Sequence, residues 1–127
     1  MSSQSDTREL IEGTVKRVIE EVPQFAGLKL IVGLDLRGRG DVQQYRVELP
    51  GPKVSKDIAS DAKVRVEVAR SFFNEMSKDA KVADWGEAFH YGQAKATGVP
   101  QYLKLIERVV ELHEERQRAR RARPRQP

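Results

Sequence analysis

The chain has 127 residues, 39% of them hydrophobic and 33% charged, which suffices for one domain burying about two thirds of its unfolded surface and leaves no room for a second. It contains no cysteine and only two histidines, His90 and His113, so disulfides, thiolate chemistry and sulfur-based zinc sites are excluded and a histidine-built metal centre is not expected. The net charge of +4 is local: residues 114–127 hold six arginines against two glutamates, and the rest of the chain carries acidic and basic groups in equal number.

The N-terminal residues lack the basic and apolar regions of a secretion signal, and no apolar run approaches the ~20 residues that span a bilayer. A soluble cytoplasmic protein is therefore expected. From Asp6, a capping side chain with Glu9 three residues on, the spacing of Leu10, Ile11, Val15, Val18, Ile19 and Val22 predicts an amphipathic helix that Pro23 ends. Its polar face mixes both signs, so it reads as a helix covering a core and not as one lying on a membrane.

The period then changes to two. Leu28, Leu30, Val32, Leu34 and Leu36 alternate with Lys29, Ile31, Gly33, Asp35 and Arg37, which predicts a half-buried strand over 28–36. Gly38 and Gly40 supply a hairpin; they imitate a phosphate loop, but no lysine and threonine follow. A second strand over 42–49 sets Gln43, Tyr45, Val47 and Leu49 on one side. After the turn at Pro50, Gly51 and Pro52, residues 53–58 read as a weak strand at a sheet edge. Ala62, Val64, Val66 and Val68, alternating with Lys63, Arg65 and Glu67, form the next strand.

Short helices are expected over 69–76 and 84–89, joined by a polar link at 77–81, and then a brief strand over 93–97 whose inward positions are only Ala94 and Ala96. The last helix opens on Pro100, where a missing amide costs nothing. Tyr102, Leu103, Ile106, Val109, Val110 and His113 line its stripe. Past Leu112 the apolar spacing stops, so the domain is assigned to 1–112 and an Arg-rich extension, helical or disordered, to 113–127. No internal repeat is present.

Three stretches carry a resemblance. They are the strand with Asp61, Ala62, Lys63, Val64, Arg65 and Val66, the helix with Phe72, Phe73 and Met76, and the run from Ala88, Phe89, His90, Tyr91 and Gly92 through Ala94 and Ala96 to Gly98. In this order, and over roughly residues 7–112, the chain resembles the sterol carrier protein 2 (SCP2-like) family. The resemblance implies an α+β fold, a five-stranded mainly antiparallel sheet covered on one face by helices. It also implies a hydrophobic tunnel between sheet and helices that accepts fatty acids, acyl-CoA or sterols, and hence lipid binding and transport without catalysis. Two departures stand out: Ala94 and Ala96 replace large apolar residues, and Tyr91 replaces a polar amide, which widens or redirects the tunnel. The chain ends in Arg125, Gln126 and Pro127 instead of a peroxisomal tripeptide, which speaks for a prokaryotic or cytoplasmic version.

The expected lipid-binding walls are Phe72, Phe73, Met76, Trp85, Phe89, Tyr91, Tyr102, Leu103 and Ile106, over a floor of Leu30, Val32 and Leu34. Taken alone, such residues are ordinary core more often than pocket; the family resemblance is what makes them a site. The ligand class is an apolar, elongated molecule: a fatty acyl chain, acyl-CoA, sterol or isoprenoid. His90, beside Tyr91, has two readings, a polar group offered to a ligand headgroup or, preferred, a surface residue at a helix end, where a cation is favoured. Asp35, Asp41, Asp57 and Asp61 read as turn formers, since no base or nucleophile stands at a fixed short spacing from any of them. No catalytic residue, metal or cofactor is expected.

Arg116, Arg118, Arg120, Arg121, Arg123 and Arg125 have three readings: solvated disorder, transient contact with anionic membrane, or non-specific contact with nucleic acid, with no sequence-specific nucleic-acid binding expected. The principal rival to a carrier is an accessory or scaffold subunit of a lipid or isoprenoid pathway that acts through partner binding.

Overall fold

A computed structural model of the protein describes residues 3–122. The element order is α1 (Ser3–Glu21), a 3-10 turn η1 (Pro23–Gly27), β1 (Leu30–Arg37), β2 (Val42–Leu49), β3 (Lys53–Lys56), β4 (Val64–Ala69), α2 (Arg70–Asp79), α3 (Val82–His90), β5 (Ala94–Gly98) and α4 (Pro100–Ala122). The strands form one sheet in the order β3-β2-β1-β4-β5. β1 runs parallel to β4 and the other three pairings are antiparallel, so the sheet is mixed and mainly antiparallel.

Period-two alternation explains the two faces. Register sets Leu34 beside both Tyr45 and Val66, and Val32 beside both Val47 and Val64, so the apolar sets of three strands fall on one side. Ile11 of α1, Phe73 of α2 and Ala88 of α3 cover that side in one buried cluster with Leu36, Tyr45, Val54, Val68 and Ala94. The opposite side is polar and held by ion pairs. Arg65 Nη1 lies 2.8 Å from Asp35 Oδ1, Arg46 Nη2 lies 2.9 Å from Asp61 Oδ2, and Arg37 Nε lies 2.7 Å from Glu67 Oε1. The Arg65 guanidinium lies over Gly33, where a Cβ would stand 2.9 Å from its Cζ, which accounts for glycine in the middle of a strand.

A second buried cluster joins Val22, Phe25 and Val82 to the flanking Val18, Ile19, Leu28, Ile106, Val109 and Val110. Its centre, Phe25, sits on η1, for which the sequence offers no periodicity. Pro23 does end α1, but it also opens this extra turn.

Several boundaries differ from expectation. α1 starts at Ser3, so Asp6 stands inside its first turn and is not its N-cap, although a carboxylate there still complements the helix dipole. β1 begins at Leu30 because the Leu28 N–H is spent on the Phe25 carbonyl, 3.1 Å away. β3 ends at Lys56. The polar link expected at 77–81 is largely helix, since α2 runs to Asp79 with Ser77 buried and its hydroxyl donating to the Asn74 carbonyl at 2.8 Å. Asp35 is no turn former: it lies within β1 as the partner of Arg65. α4 continues unbroken past position 112 to Ala122, carrying Arg116, Arg118, Arg120 and Arg121 on exposed turns. Arg123 and Arg125 lie outside the described residues.

Gly98 closes the sheet. Its φ is +140°, and a Cβ there would collide with the Lys63 carbonyl oxygen and stand 2.9 Å from Val64 Cα. Only glycine lets β5 come this close to β4.

Candidate functional site

Between the apolar side of the sheet and α1, α3 and α4 lies a cavity of about 520 Å³. Its floor comes from β1 (Leu30, Val32, Leu34), β2 (Val47, Leu49), β4 (Val64, Val66, Val68) and Ala96 of β5. One wall is the inner stripe of α1, from Ile11 and Thr14 through Val15 and Val18 to Ile19. Phe25 and Leu28 close one part, Phe73 another, and Trp85, Gly86 and Phe89 of α3 face Leu103, Ile106, Glu107, Val110 and Glu111 of α4. Residues from both buried clusters contribute, so the apolar interior is divided and the hollow is bordered by its two parts.

Exposure along the floor is uneven. Val64 and Val68 are buried at 2% and 0% exposure and Leu36 at 0%, yet Val32 and Val66, on the same side of the two central strands, are only half-buried. Interior strands have no solvent edge, so the accessible surface of these two valines opens into the cavity that they line. Ala96 leaves room where a larger side chain would occupy the floor.

Of the expected site residues, Leu30, Val32, Leu34, Phe73, Trp85, Phe89, Leu103 and Ile106 line this cavity. Phe72, Met76 and Tyr91 do not. They line a separate, shallower depression of about 380 Å³ between α2 and α3, whose rim is acidic with Glu75, Asp79, Asp84 and Glu87. Tyr102 lines neither and is half-buried on α4. Neighbours in a helix diverge by about 100°, so Phe72 cannot share the orientation of Phe73, nor Tyr102 that of Leu103. The whole α1 stripe is a wall that went unrecognised, although Thr14 standing among Ile11, Val15 and Val18 is a polar mark within an apolar stripe.

Polar groups near the cavity are few. The Thr14 hydroxyl donates to the Leu10 carbonyl at 2.7 Å. Trp85 packs against Phe73, ring centroids 6.0 Å apart at 44°, and its indole Nε1 is buried with no hydrogen-bond partner among the described residues. Glu21, at the end of α1, accepts from the Val82 N–H at 2.9 Å and so caps α3, and its other oxygen stands 3.6 Å from Nε2 of the buried His113 on α4. One carboxylate thereby ties three helices at one end of the cavity. Arg17 performs the matching task for α2, donating to the Lys78 carbonyl at 2.8 Å and to the Ser77 carbonyl.

His90 ends α3, exposed, with its ring edge-on to Tyr91 at 4.9 Å and 81°. Among the described residues no group of three or more His, Cys, Asp or Glu is placed to hold a metal ion. No described helix is long and apolar enough to cross a membrane.

No family model and no curated protein matches the chain. Solved structures do. The solution NMR structure of palmitated SCP2L2 from Aedes aegypti aligns with a TM-score of 0.55 at 23% identity, over 86% of this chain and 95% of that one. The crystal structure of sterol carrier protein 2 like 2 from Aedes aegypti gives 0.52 at 21% identity, over 80% and 97%. A UbiJ-SCP2 ubiquinone synthesis protein gives 0.51 at 14% identity, over 90% and 96%. With its mixed five-stranded sheet, its helices on one side and this likeness along nearly the full length of each of those structures, the chain has the sterol carrier protein 2 fold.

Proposed function

We propose that this domain binds an apolar, elongated small molecule in the cavity between sheet and helices and carries or presents it without chemical change. The observation that carries the reading is the half-burial of Val32 and Val66 in the middle of the sheet, where a filled core would bury both. At ~30 Å³ for each water-sized group, a hollow of about 520 Å³ offers space for an alkyl chain of about 17 carbons. Each methylene withdrawn from water gains ~0.8 kcal/mol, so no specific polar contact is needed for retention. One structural neighbour fits this ligand class by name, being palmitated. A carrier role is preferred to that of an accessory subunit because an unfilled apolar hollow serves a ligand and not a protein partner.

Delivery at an anionic bilayer belongs to the same proposal. Arg116, Arg118, Arg120 and Arg121 stand exposed on the end of α4, and each basic group near such a surface contributes ~1 kcal/mol. Removing residues 114–127 should then abolish binding to vesicles containing phosphatidylserine; undiminished binding rejects this part alone. The ligand reading is tested by native mass spectrometry of the purified protein together with uptake of the uncharged dye Nile red. A co-purified apolar mass or saturable dye uptake is expected. A bare polypeptide mass that also takes up no dye rejects the carrier.

A further inference from the structure

The lining of the cavity is one-sided in its hydrogen-bonding character. Among the described residues that border it there is no lysine, arginine or histidine, and the side chains that present oxygen are Thr14, Glu107 and Glu111. The Thr14 proton is already given to the Leu10 carbonyl, so this hydroxyl offers a guest only lone pairs. The two carboxylates, one helical turn apart on α4, are acceptors by nature. Among the described residues Glu111 pairs with Arg108 at 3.8 Å, a loose pair with both side chains more than 60% exposed. Glu114 continues the stripe towards α3: its Oε1 stands 3.9 Å from the point a Cβ on Gly86 would occupy. The remaining side-chain donor on the lining, the Trp85 indole N–H, is covered by protein atoms.

Building on the ligand-binding reading above, we infer that the cavity selects guests whose polar end is an uncharged hydrogen-bond donor, such as a long-chain or sterol-type alcohol, over fatty-acid anions. An ionised carboxyl group only accepts hydrogen bonds, so it would meet acceptors and like charge on α4 and find no cation on the lining. A hydroxyl loses little on leaving water here, because Thr14, Glu107 and Glu111 can each accept its hydrogen bond. Like-charge repulsion at such a partly solvated rim corresponds to roughly tenfold in affinity.

The test compares hexadecanol with palmitate, equal in chain length, as displacers of bound Nile red at neutral pH, in the intact protein and in the double variant Glu107→Gln/Glu111→Gln. Both glutamates are exposed, so the fold should survive the change, and a matched melting temperature verifies it. Hexadecanol should displace the dye at about one tenth of the palmitate concentration. In the double variant the gap should narrow to about threefold through tighter palmitate binding, and Glu107→Lys should bring palmitate level with or ahead of the alcohol. Palmitate equal to or better than hexadecanol in the intact protein overturns the inference while leaving the carrier reading in place, and so does a ratio that no variant moves. A protein that takes up no dye at all overturns both.

Discussion

Replacing Val66 with phenylalanine distinguishes a hollow interior from a packed one. Val66 sits in the centre of β4, paired with Leu34 on one side and Ala96 on the other, and it is half-buried while lining the cavity. Phenylalanine adds four carbons at this point. If the space is open, they enter it, and the ligand loses room for about as many methylenes at ~0.8 kcal/mol each. The loss approaches ~3 kcal/mol, or roughly a hundredfold in the affinity of a chain that fills the hollow. The fold should keep its stability or gain slightly, since apolar surface is added to a void. A filled core would respond the other way, because overpacking costs ~1–3 kcal/mol. Nile red titration and thermal melting read the two quantities, with Val42→Phe, on the exposed start of β2, as the control. A Val66→Phe protein that melts lower by that margin and binds dye as before would refute the reasoning.

The remaining predictions concern the scaffold. Gly98→Ala places a Cβ against the Lys63 carbonyl at a φ of +140° and should cost at least ~2 kcal/mol in denaturant unfolding, whereas Gly27→Ala, with nothing near its Cβ position, should be close to neutral. Glu21→Ala removes the α3 cap and the carboxylate beside His113, and should lower stability by ~1–2 kcal/mol in the same assay. The Arg46 guanidinium, donating to the Asp61 carboxylate, holds that carboxyl below its ordinary range. A depressed carboxylate contributes stability above its unfolded value near about 4 and loses it as pH falls through the folded one. Asp61→Asn should therefore melt slightly lower than the parent at pH 7, with the difference vanishing in strong acid; the effect is small because the pair is exposed.

The sheet was readable from its text because alternation is a local property and β1, β2 and β4 each display it over at least six residues. Order and direction were not readable this way: the parallel pairing of β1 with β4 joins residues 32 apart in the chain, and the ion pair that takes Asp35 out of the turns joins it to Arg65, 30 residues on. The α1 stripe has the same spacing whether the helix presses on the sheet or stands off it, so its part in the cavity lay beyond periodicity. Adjacent aromatics were misleading for the converse reason, since Phe72 and Phe73 look like one wall on paper and diverge on a helix. Phe25 depends on a single 3-10 turn, too short to leave any repeat. Tyr91, expected on the wall, lies past the end of α3 and is 74% exposed.

The split of the interior into a sheet-side and a helix-side cluster bears on how the molecule comes apart. The two clusters share α1 and α3 and otherwise meet across the hollow, so each packs chiefly within itself and can loosen in part before the other. An occupant touching both would bolt the halves together, so that loading should turn a staggered melt into a single sharp one. The width of the unfolding transition, as much as its midpoint, would then report whether cargo is aboard.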